Sequence, residues 1–477
     1  MVVVGGSFAG LAAVRKLHRL AEVTLVEPKE YFEYTPGVLH ALVGSSRAES
    51  IIATPLQECI GGATHVEGYF QGLNALKKNA LVQHLDGSLE ELEYDFVIVA
   101  TGRSYAAPIR PSYAALTAES RAHELGQLRA ALRTAKAVTV RGGGLVGVEL
   151  AAELATRLHP RPTVRLLSES GLLAGLPTKA GILAGEWFKR HGVEVVYGQE
   201  VGAISAGDAQ EGDGEGDGLG EGKITIDCTG RAGITWASSS SSMSLLQNIK
   251  NEKGAAAGGA EAGGTPKKRR TRRVITRIPG FESPYDSDGY VVVDRYLRSA
   301  VFNGGDVFAA GDTVRHADPV GAGTTTSRAP FGAPMGLPAL RNANLAEFQA
   351  KAIASVITRS GSLHGVRPYP HMAFGSSITP ALACVSLGPR AGILVFDNLV
   401  LGGLFFSALA ALAKFSIERT KVSEMRCQRT GTLFWKVMHA VANALHRWFV
   451  RAMQLYTVIY AFLLRRGSRL NLASIET

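Results

Sequence analysis

A chain of 477 residues with 46% hydrophobic and 19% charged residues is long enough for two or three domains with sizeable cores, and that balance excludes wholesale disorder. Its net charge of +10 is concentrated: eleven Lys or Arg against three Glu fall in 414–477, and six more basic residues lie in 266–273, so no basic field over the whole surface follows. Cys59, Cys228, Cys384 and Cys427 stand far apart, without CxxC or any metal-ligand spacing, which reads as reduced intracellular thiols and no metal site.

Met1 leads at once into an apolar run, so no signal or transit peptide is read. Residues 2–17, VVVGGSFAGLAAVRKL, give a short strand, a turn of small residues and a helix, and VTLVE at 23–27 supplies a second strand. Together they predict a βαβ unit. In Gly5-Gly6-Ser7-Phe8-Ala9-Gly10 the first and last glycines of GxGxxG are kept, with Ser7 where a second glycine usually lets backbone approach a pyrophosphate. The helix start would face that pyrophosphate with free N–H groups and its positive dipole end, and Glu27 closes the next strand where a ribose hydroxyl binds. A glycine-rich turn of an unrelated α/β protein is the competing reading.

EYDFVIVATG at 93–102 predicts another buried parallel strand, and Pro108 and Pro111 predict a linker with a domain boundary near residue 112. The opening pattern then returns 137 residues after the first, as AVTVRGGGLVGVELAAEL at 137–154 followed by TVRLLSES at 163–170. Here Gly142, Gly144 and Gly147 supply all three fingerprint glycines. Ser168 falls where Glu27 falls in the first unit, and an acid, Glu169, comes one residue later. Two fingerprints imply two dinucleotide sites. Glu149, placed on the first turn of the second helix, either lines a ligand pocket or is an acid stabilised by the dipole alone. Cys228 in DCTG reads as a small buried residue at a strand end rather than a redox thiol.

Low-complexity segments at 207–222 and 238–273 cannot build a core and read as insertions in surface loops. Asp213, Glu215, Asp217 and Gly218 imitate the start of a calcium loop, but position twelve is Ile224 rather than a bidentate Glu. DVFAAGD at 306–312 predicts a buried strand ending in Gly311 and Asp312, with a ligand at a following helix start, and its position suits a chain returning to its first sheet. A helix over 340–358, strands LACVSLG and AGILVF, and C-terminal helices mixing apolar, aromatic and basic residues follow. No run reaches the roughly 18 to 20 charge-free residues of a membrane span.

These motifs and their order resemble the flavoproteins with two dinucleotide-binding domains, and in particular the type II NADH dehydrogenase and ferroptosis-suppressor or apoptosis-inducing-factor-like quinone reductase branch. YFEYTPGVL at 31–39, AELATRL at 152–158 and TKVSEMRCQRTGTLFW at 420–435 are similar to that branch. The resemblance implies an α/β fold with two Rossmann-like domains and a smaller C-terminal domain with amphipathic helices. Its expected boundaries are a discontinuous FAD-binding domain at 1–112 and 289–372, an NAD(P)H-binding domain at 113–288 carrying both insertions, and a C-terminal domain at 373–477. It further implies FAD held by Gly5, Gly6, Ser7, Phe8, Ala9, Gly10, Glu27, Val66, Ala100, Thr101, Gly102, Gly311 and Asp312. His40 falls at a further FAD contact, often an arginine, or is an ordinary loop histidine. NADH or NADPH would be held by Gly142, Gly144, Gly147, Glu149, Ser168 and Glu169, and the lack of a following arginine for a 2′-phosphate favours NADH.

The implied chemistry is hydride transfer from nicotinamide to flavin and then electrons to a quinone, with no protein acid or base assigned as catalytic. Residues 338–344, PALRNAN, stand where type II NADH dehydrogenases often carry a glutamine-rich quinone motif, which leaves the quinone open. Disulfide reductases place a cysteine pair after the first fingerprint; Cys59 stands alone there, which excludes that branch.

The basic C-terminus, with Lys436, Arg447, Arg451, Arg465 and Arg466, is expected to lie on a membrane surface beside lipid-soluble quinone, making this an intracellular peripheral membrane protein. Packing on its own core, or on a second copy in a homodimer, is the alternative. An apoptosis-inducing-factor-like signalling role, in which PKKRRTRR at 266–273 binds nucleic acid or an import receptor by charge, competes with a solvated linker, and the linker is preferred. Reduction of a protein electron carrier is the remaining alternative.

Overall fold

The computed structural model describes residues 1–44, 53–103, 105, 107–198, 223–230, 278–302, 304–317, 343–359, 364–365, 368–369, 382–396, 399–438, 440–441 and 444. Both low-complexity insertions, the 213–218 segment, PKKRRTRR, most of PALRNAN and Arg447, Arg451, Arg465 and Arg466 lie outside the described residues.

The first unit runs β1 (Val2–Val4), α1 (Phe8–Leu17), β2 (Thr24–Val26), β3 (Tyr31–Glu33), a 3-10 turn at Thr35–Gly37, α2 (Val38–Val43), β4 (Ala53–Pro55), α3 (Gln57–Ile60) and β5 (Thr64–Val66). An antiparallel ribbon of β6 (Gly68–Asn74), β7 (Asn79–His84) and β8 (Leu89–Glu93) precedes β9 (Val97–Val99). The second unit holds α4 (Ala118–Thr134), β10 (Ala137–Arg141), α5 (Leu145–Arg157), β11 (Thr163–Ser168), α6 (Thr178–Arg190), β12 (Glu194–Tyr197) and β13 (Lys223–Asp227). The remainder comprises β14 (Val291–Val293), β15 (Val307–Ala309), β16 (Val314–His316), α7 (Ala343–Ile357), the antiparallel β17 (Leu382–Ser386), β18 (Gly392–Phe396) and β19 (Leu399–Leu401), and α8 (Leu404–Met425).

β1, β9 and β15 are buried at every position, as a parallel sheet covered on both faces requires. The first sheet has the order β15-β9-β1-β2-β5, all parallel, and the second β12-β11-β10-β13, also parallel. In each the order reverses beside the strand that opens the unit, and that reversal is where an open α/β sheet leaves a crevice beyond its carboxyl ends. β15 joins β9 with Val307 opposite Val97, so a segment some 300 residues from β1 completes the first sheet.

Two local expectations are corrected. No helix begins at Asp312; the chain continues into β16, whose Val314–His316 pair with β14, because a sheet partner was available that nothing in the local pattern signals. Glu149 is the fifth residue of α5, whose first turn holds no acid, so the dipole at the helix start does not account for it.

The units are clamped by a buried ion cluster. Arg121 on α4 donates from Nε to Glu33 at 2.6 Å, from Nη1 to Glu124 at 2.7 Å and from Nη2 to the Pro108 carbonyl at 2.9 Å. α4 itself starts on a reciprocal cap, with Thr117 accepting from the Ser120 N–H and Ser120 accepting from the Thr117 N–H. Arg121 is almost fully enclosed, so these bonds hold the linker and α4 against β3.

Candidate dinucleotide sites

The two glycine turns share one geometry. Gly5 has φ +105° and Gly142 φ +108°, a region L side chains avoid. The Gly5 N–H donates to Val26 at 2.9 Å and the Gly142 N–H to Leu167 at 2.8 Å. A Cβ on Gly10 would overlap the Gly5 carbonyl oxygen, and a Cβ on Gly147 would overlap that of Gly142. The last glycine of each turn therefore lets its helix pack against its strand, and the helix starts at Phe8 and Leu145 are left with first-turn N–H groups that no helical carbonyl can satisfy. Ser7 and Gly144 are the N-caps, both extended, and a Cβ on Gly144 would meet nothing within 4 Å. Bare backbone at the second turn thus faces open space, while Ser7 adds only a small hydroxyl at the first.

Around the first turn, Glu27 is buried at the end of β2. Its Oε2 accepts from the Gly6 N–H at 2.6 Å and its Oε1 from the Lys29 N–H at 3.2 Å, with the Lys29 ammonium 3.0 Å away. Burial alone would raise this carboxyl, but the Lys29 charge and the N–H donors outweigh it and hold the pKa below the usual range. A Cβ on Gly6 would lie 2.8 Å from the Glu27 Cγ, so the absent side chain is what lets the acid reach the turn. The Val66 carbonyl accepts from the Glu27 N–H at 3.2 Å. Phe8 is buried, its ring edge-on to Phe32 at 5.3 Å and Tyr34 at 5.9 Å.

β9 ends in Ala100, Thr101 and Gly102. The Ala100 N–H donates to Val4 at 2.8 Å, the Thr101 hydroxyl lies 2.8 Å from that of Tyr285, and Gly102 has φ +69°. Gly311, φ +84°, donates its N–H to Gln349 of α7 at 2.7 Å, and a Cβ on it would lie 3.5 Å from the Ala9 Cβ. Gly311 and Asp312 are thereby set beside the first turn across the intervening unit. The structure brings Gly5 to Gly10, Glu27, Val66, Ala100 to Gly102, Gly311 and Asp312 to the carboxyl end of one sheet.

His40 sits instead where α2 packs near α5. Burial, with Arg157 nearby, pushes it down to about 4 from 6.5. In the second turn Ser168 occupies the position of Glu27: a Cβ on Gly143 would overlap its side chain, and its hydroxyl donates to Gly171 at 3.2 Å. Glu169 beside it is exposed. Glu149 is buried on α5, accepts from the Ser386 N–H at 2.9 Å and is ion-paired with Lys414, which ties the second unit to β17 and α8.

Several residues escaped the sequence reading. Cys228, Thr229 and Gly230 (φ +66°) repeat Ala100, Thr101 and Gly102 (φ +69°), with the Cys228 N–H donating to Arg141 at 2.8 Å as Ala100 does to Val4; the shared TG was the available signal. Tyr105 of the linker packs on this second strand end, its ring 3.1 Å from where a Cβ on Gly230 would stand. The carboxyl ends of the two sheets therefore converge at one linker residue. Arg103 and Arg110 also gather beside Gly102, for which no motif gave warning.

A family profile described as pyridine nucleotide-disulphide oxidoreductase matches residues 1–240. The chain belongs to this family. Its members are FAD- and NAD(P)-binding oxidoreductases. Ferroptosis suppressor protein 1 of Xenopus laevis is 28% identical over 205 residues, 42% of this chain and 52% of the relative. Demethylphylloquinone reductase NdbB of Synechocystis is 28% identical over 182 residues, 35% of this chain and 45% of the relative. The chain spans about half the length of the curated relatives it matches. Among solved structures, NDH2 of Plasmodium falciparum in complex with NADH superposes with a TM-score of 0.55 at 12% identity, covering 89% of this chain and 97% of that one. Sulfide:quinone oxidoreductase of Aquifex aeolicus gives 0.54 at 16%, covering 89% and 91%. At these identities the likeness is one of fold.

The residues present fit the family's FAD. Glycine at 5, 6 and 10 lets α1 and Glu27 pack against the first turn, so that its helix start offers backbone with only the Ser7 hydroxyl added, and three buried polar atoms near the strand ends, Arg103 Nη1, Arg110 Nε and Thr313 Oγ1, have no partner among the described residues. The disulphide in the family's description has no counterpart in this chain, since all four cysteines are free. Burial pushes the Cys59 thiol up to about 12 and Cys384 up to about 11, which leaves neither as a ready thiolate. No group of His, Cys, Asp or Glu among the described residues is arranged to hold a metal ion.

Proposed function

We propose that this oxidoreductase takes hydride from NADH, or less readily NADPH, onto FAD and passes the electrons to a quinone at a membrane surface. The observation that carries the reading is the pair of matched turns whose sheets converge at Tyr105, together with the absence of a cysteine pair among four free thiols. Electrons leaving the flavin have no thiol relay and require an acceptor from outside. The name of the cyanobacterial relative, a demethylphylloquinone reductase, supports a quinone in that role.

In this reading Gly5 to Gly10, Glu27, Val66, Ala100 to Gly102, Gly311 and Asp312 hold FAD, and Gly142, Gly144, Gly147, Ser168 and Glu169 hold the nicotinamide nucleotide. When bound, FAD supplies two-electron acceptance and onward release. The chain's own contribution is positional: the helix starts of α1 and α5 offer N–H groups to phosphate, Glu27 fixes a ribose, and the close packing at Gly10 and Gly147 fixes where each ligand rests. Glu149, locked to Lys414 and Ser386, sets the angle of α5 against the C-terminal unit.

The membrane part of the reading is supported by an apolar face on α8. Phe405, Leu409, Leu412 and Phe415 recur at helical spacing and are 74%, 42%, 61% and 52% exposed. Leu433, Val437 and Val441 continue such a face on the following helical residues, with Lys436 between them. No described helix is long and apolar enough to cross a membrane, which suits lying in the interface. The test is an acceptor panel with purified full-length protein, with and without liposomes containing anionic lipid. The expected result is NADH oxidation with quinones but not with disulfides or ferredoxin, and sedimentation with the vesicles that is lost on deleting 433–477. Activity with a disulfide or protein acceptor alone, or unchanged vesicle binding after the deletion, would count against it.

A further inference from the structure

Two arginines that follow β9 have no place in the fingerprint chemistry. Arg103 directly follows Gly102, and its guanidinium stacks on the Tyr290 ring with its carbon 4.3 Å from the centroid. Arg110 lies on the linker and donates from Nη1 to the Thr35 hydroxyl at 3.3 Å, while its Nη2 is 4.0 Å from where a Cβ on Gly102 would stand. Both are half-buried, and neither has a carboxylate partner among the described ion pairs. Arg103 Nη1 and Arg110 Nε are buried without a hydrogen-bond partner among the described residues. A donor enclosed in that way is destabilising, a cost that Arg121, close by in sequence and bonded to Glu33, Glu124 and Pro108, does not incur. Donors kept unpaired at the crevice end of a sheet point to an anionic ligand.

Sheet order says which part of the ligand they meet. Glu27, the ribose-binding acid, ends β2 on one side of β1, and Arg103 and Arg110 follow β9 on the other. With the pyrophosphate at the turn after β1, the adenosine lies over β2 and the opposite end of the dinucleotide lies toward β9. We propose that Arg103 and Arg110 place two positive charges at the flavin end of FAD and stabilise its reduced ring over its oxidised ring. This rests on the FAD site argued above. The charge balance gives the reason: hydride delivers two electrons and one proton, so the ring gains one negative charge unless a second proton follows. A guanidinium with an open N–H prefers the charged form. Thr35 positions Arg110, and Tyr290 positions Arg103.

The test is the two-electron midpoint potential of the full-length holoprotein, read by equilibration with reference dyes, for wild type, Arg103→Gln, Arg110→Gln and Arg110→Lys, with FAD per chain measured on each. Each glutamine variant is expected to keep its FAD and to lose about tenfold in the preference for reduced over oxidised flavin, a fall of about 30 mV; Arg110→Lys should recover much of it. A potential unchanged in both glutamine variants overturns the proposal. So does loss of FAD with no change of potential in the fraction that retains it, which would assign the arginines to holding the pyrophosphate, or a change confined to NADH affinity, which would assign them to the other nucleotide. A wild-type chain that takes up no FAD fails at the earlier step and is told apart by the absence of flavin absorbance.

Discussion

Replacing Gly147 by alanine separates the two nucleotide sites. A Cβ there would overlap the Gly142 carbonyl oxygen and come within 3.5 Å of the Cys228 Cβ. Relief requires α5 to move outward from β10 by on the order of 1 Å, and overpacking of this kind costs about 1–3 kcal/mol. The shift falls on the helix start proposed to present N–H groups to the nicotinamide nucleotide, so misplacement on the order of 1 Å is expected to slow hydride delivery by roughly 100-fold. The first turn, with its own glycines at positions 5, 6 and 10, is untouched. The variant should therefore purify yellow with normal FAD content, while stopped-flow reduction by NADH slows or saturates only at much higher NADH. Gly10→Ala should show the reverse, losing FAD. Equal effects of both variants on FAD retention, or normal reduction of the Gly147→Ala protein by NADH, would refute the assignment of the second turn.

Other expectations follow from single contacts. Lys414→Met leaves the buried Glu149 carboxylate with the Ser386 N–H alone; because Lys414 is 27% exposed, the loss should be about 1–3 kcal/mol rather than that of a fully enclosed pair, read as a lower denaturant midpoint that Glu149→Gln in the same chain partly restores. His40, held down at about 4 against 6.5 by burial and then Arg157, stays neutral in the fold while the unfolded chain takes up a proton. Its contribution to stability is thus present above about pH 6.5 and lost as pH falls toward 4, and His40→Gln should flatten denaturation midpoints across that window. Cys59→Ala should leave NADH oxidation within about twofold of wild type despite some loss of stability, since burial makes that thiol a poor nucleophile.

What the sequence disclosed was local. The apolar runs at 2–4, 97–99 and 307–309 became parallel strands, and the glycine spacing fixed both turns, because a positive φ and a close helix approach are demands made within a few residues. The site residues recruited from a distance were not legible. Lys414 lies 265 residues from Glu149, Tyr105 reaches Gly230 only because two sheets meet, and Arg103 and Arg110 gain meaning from Tyr290 and Thr35. Asp312 misled for the same reason, since β14 captured the next residues as a strand where periodicity alone suggested a helix start.

The proposed hydride exchange between two dinucleotides at one junction is read most directly by anaerobic titration of the purified protein with NADH. One equivalent of NADH per bound FAD should bleach the flavin fully, and an equivalent of quinone should restore it. Flavin that stays oxidised with excess NADH and NADPH, or a protein that neither carries nor takes up FAD, would contradict it.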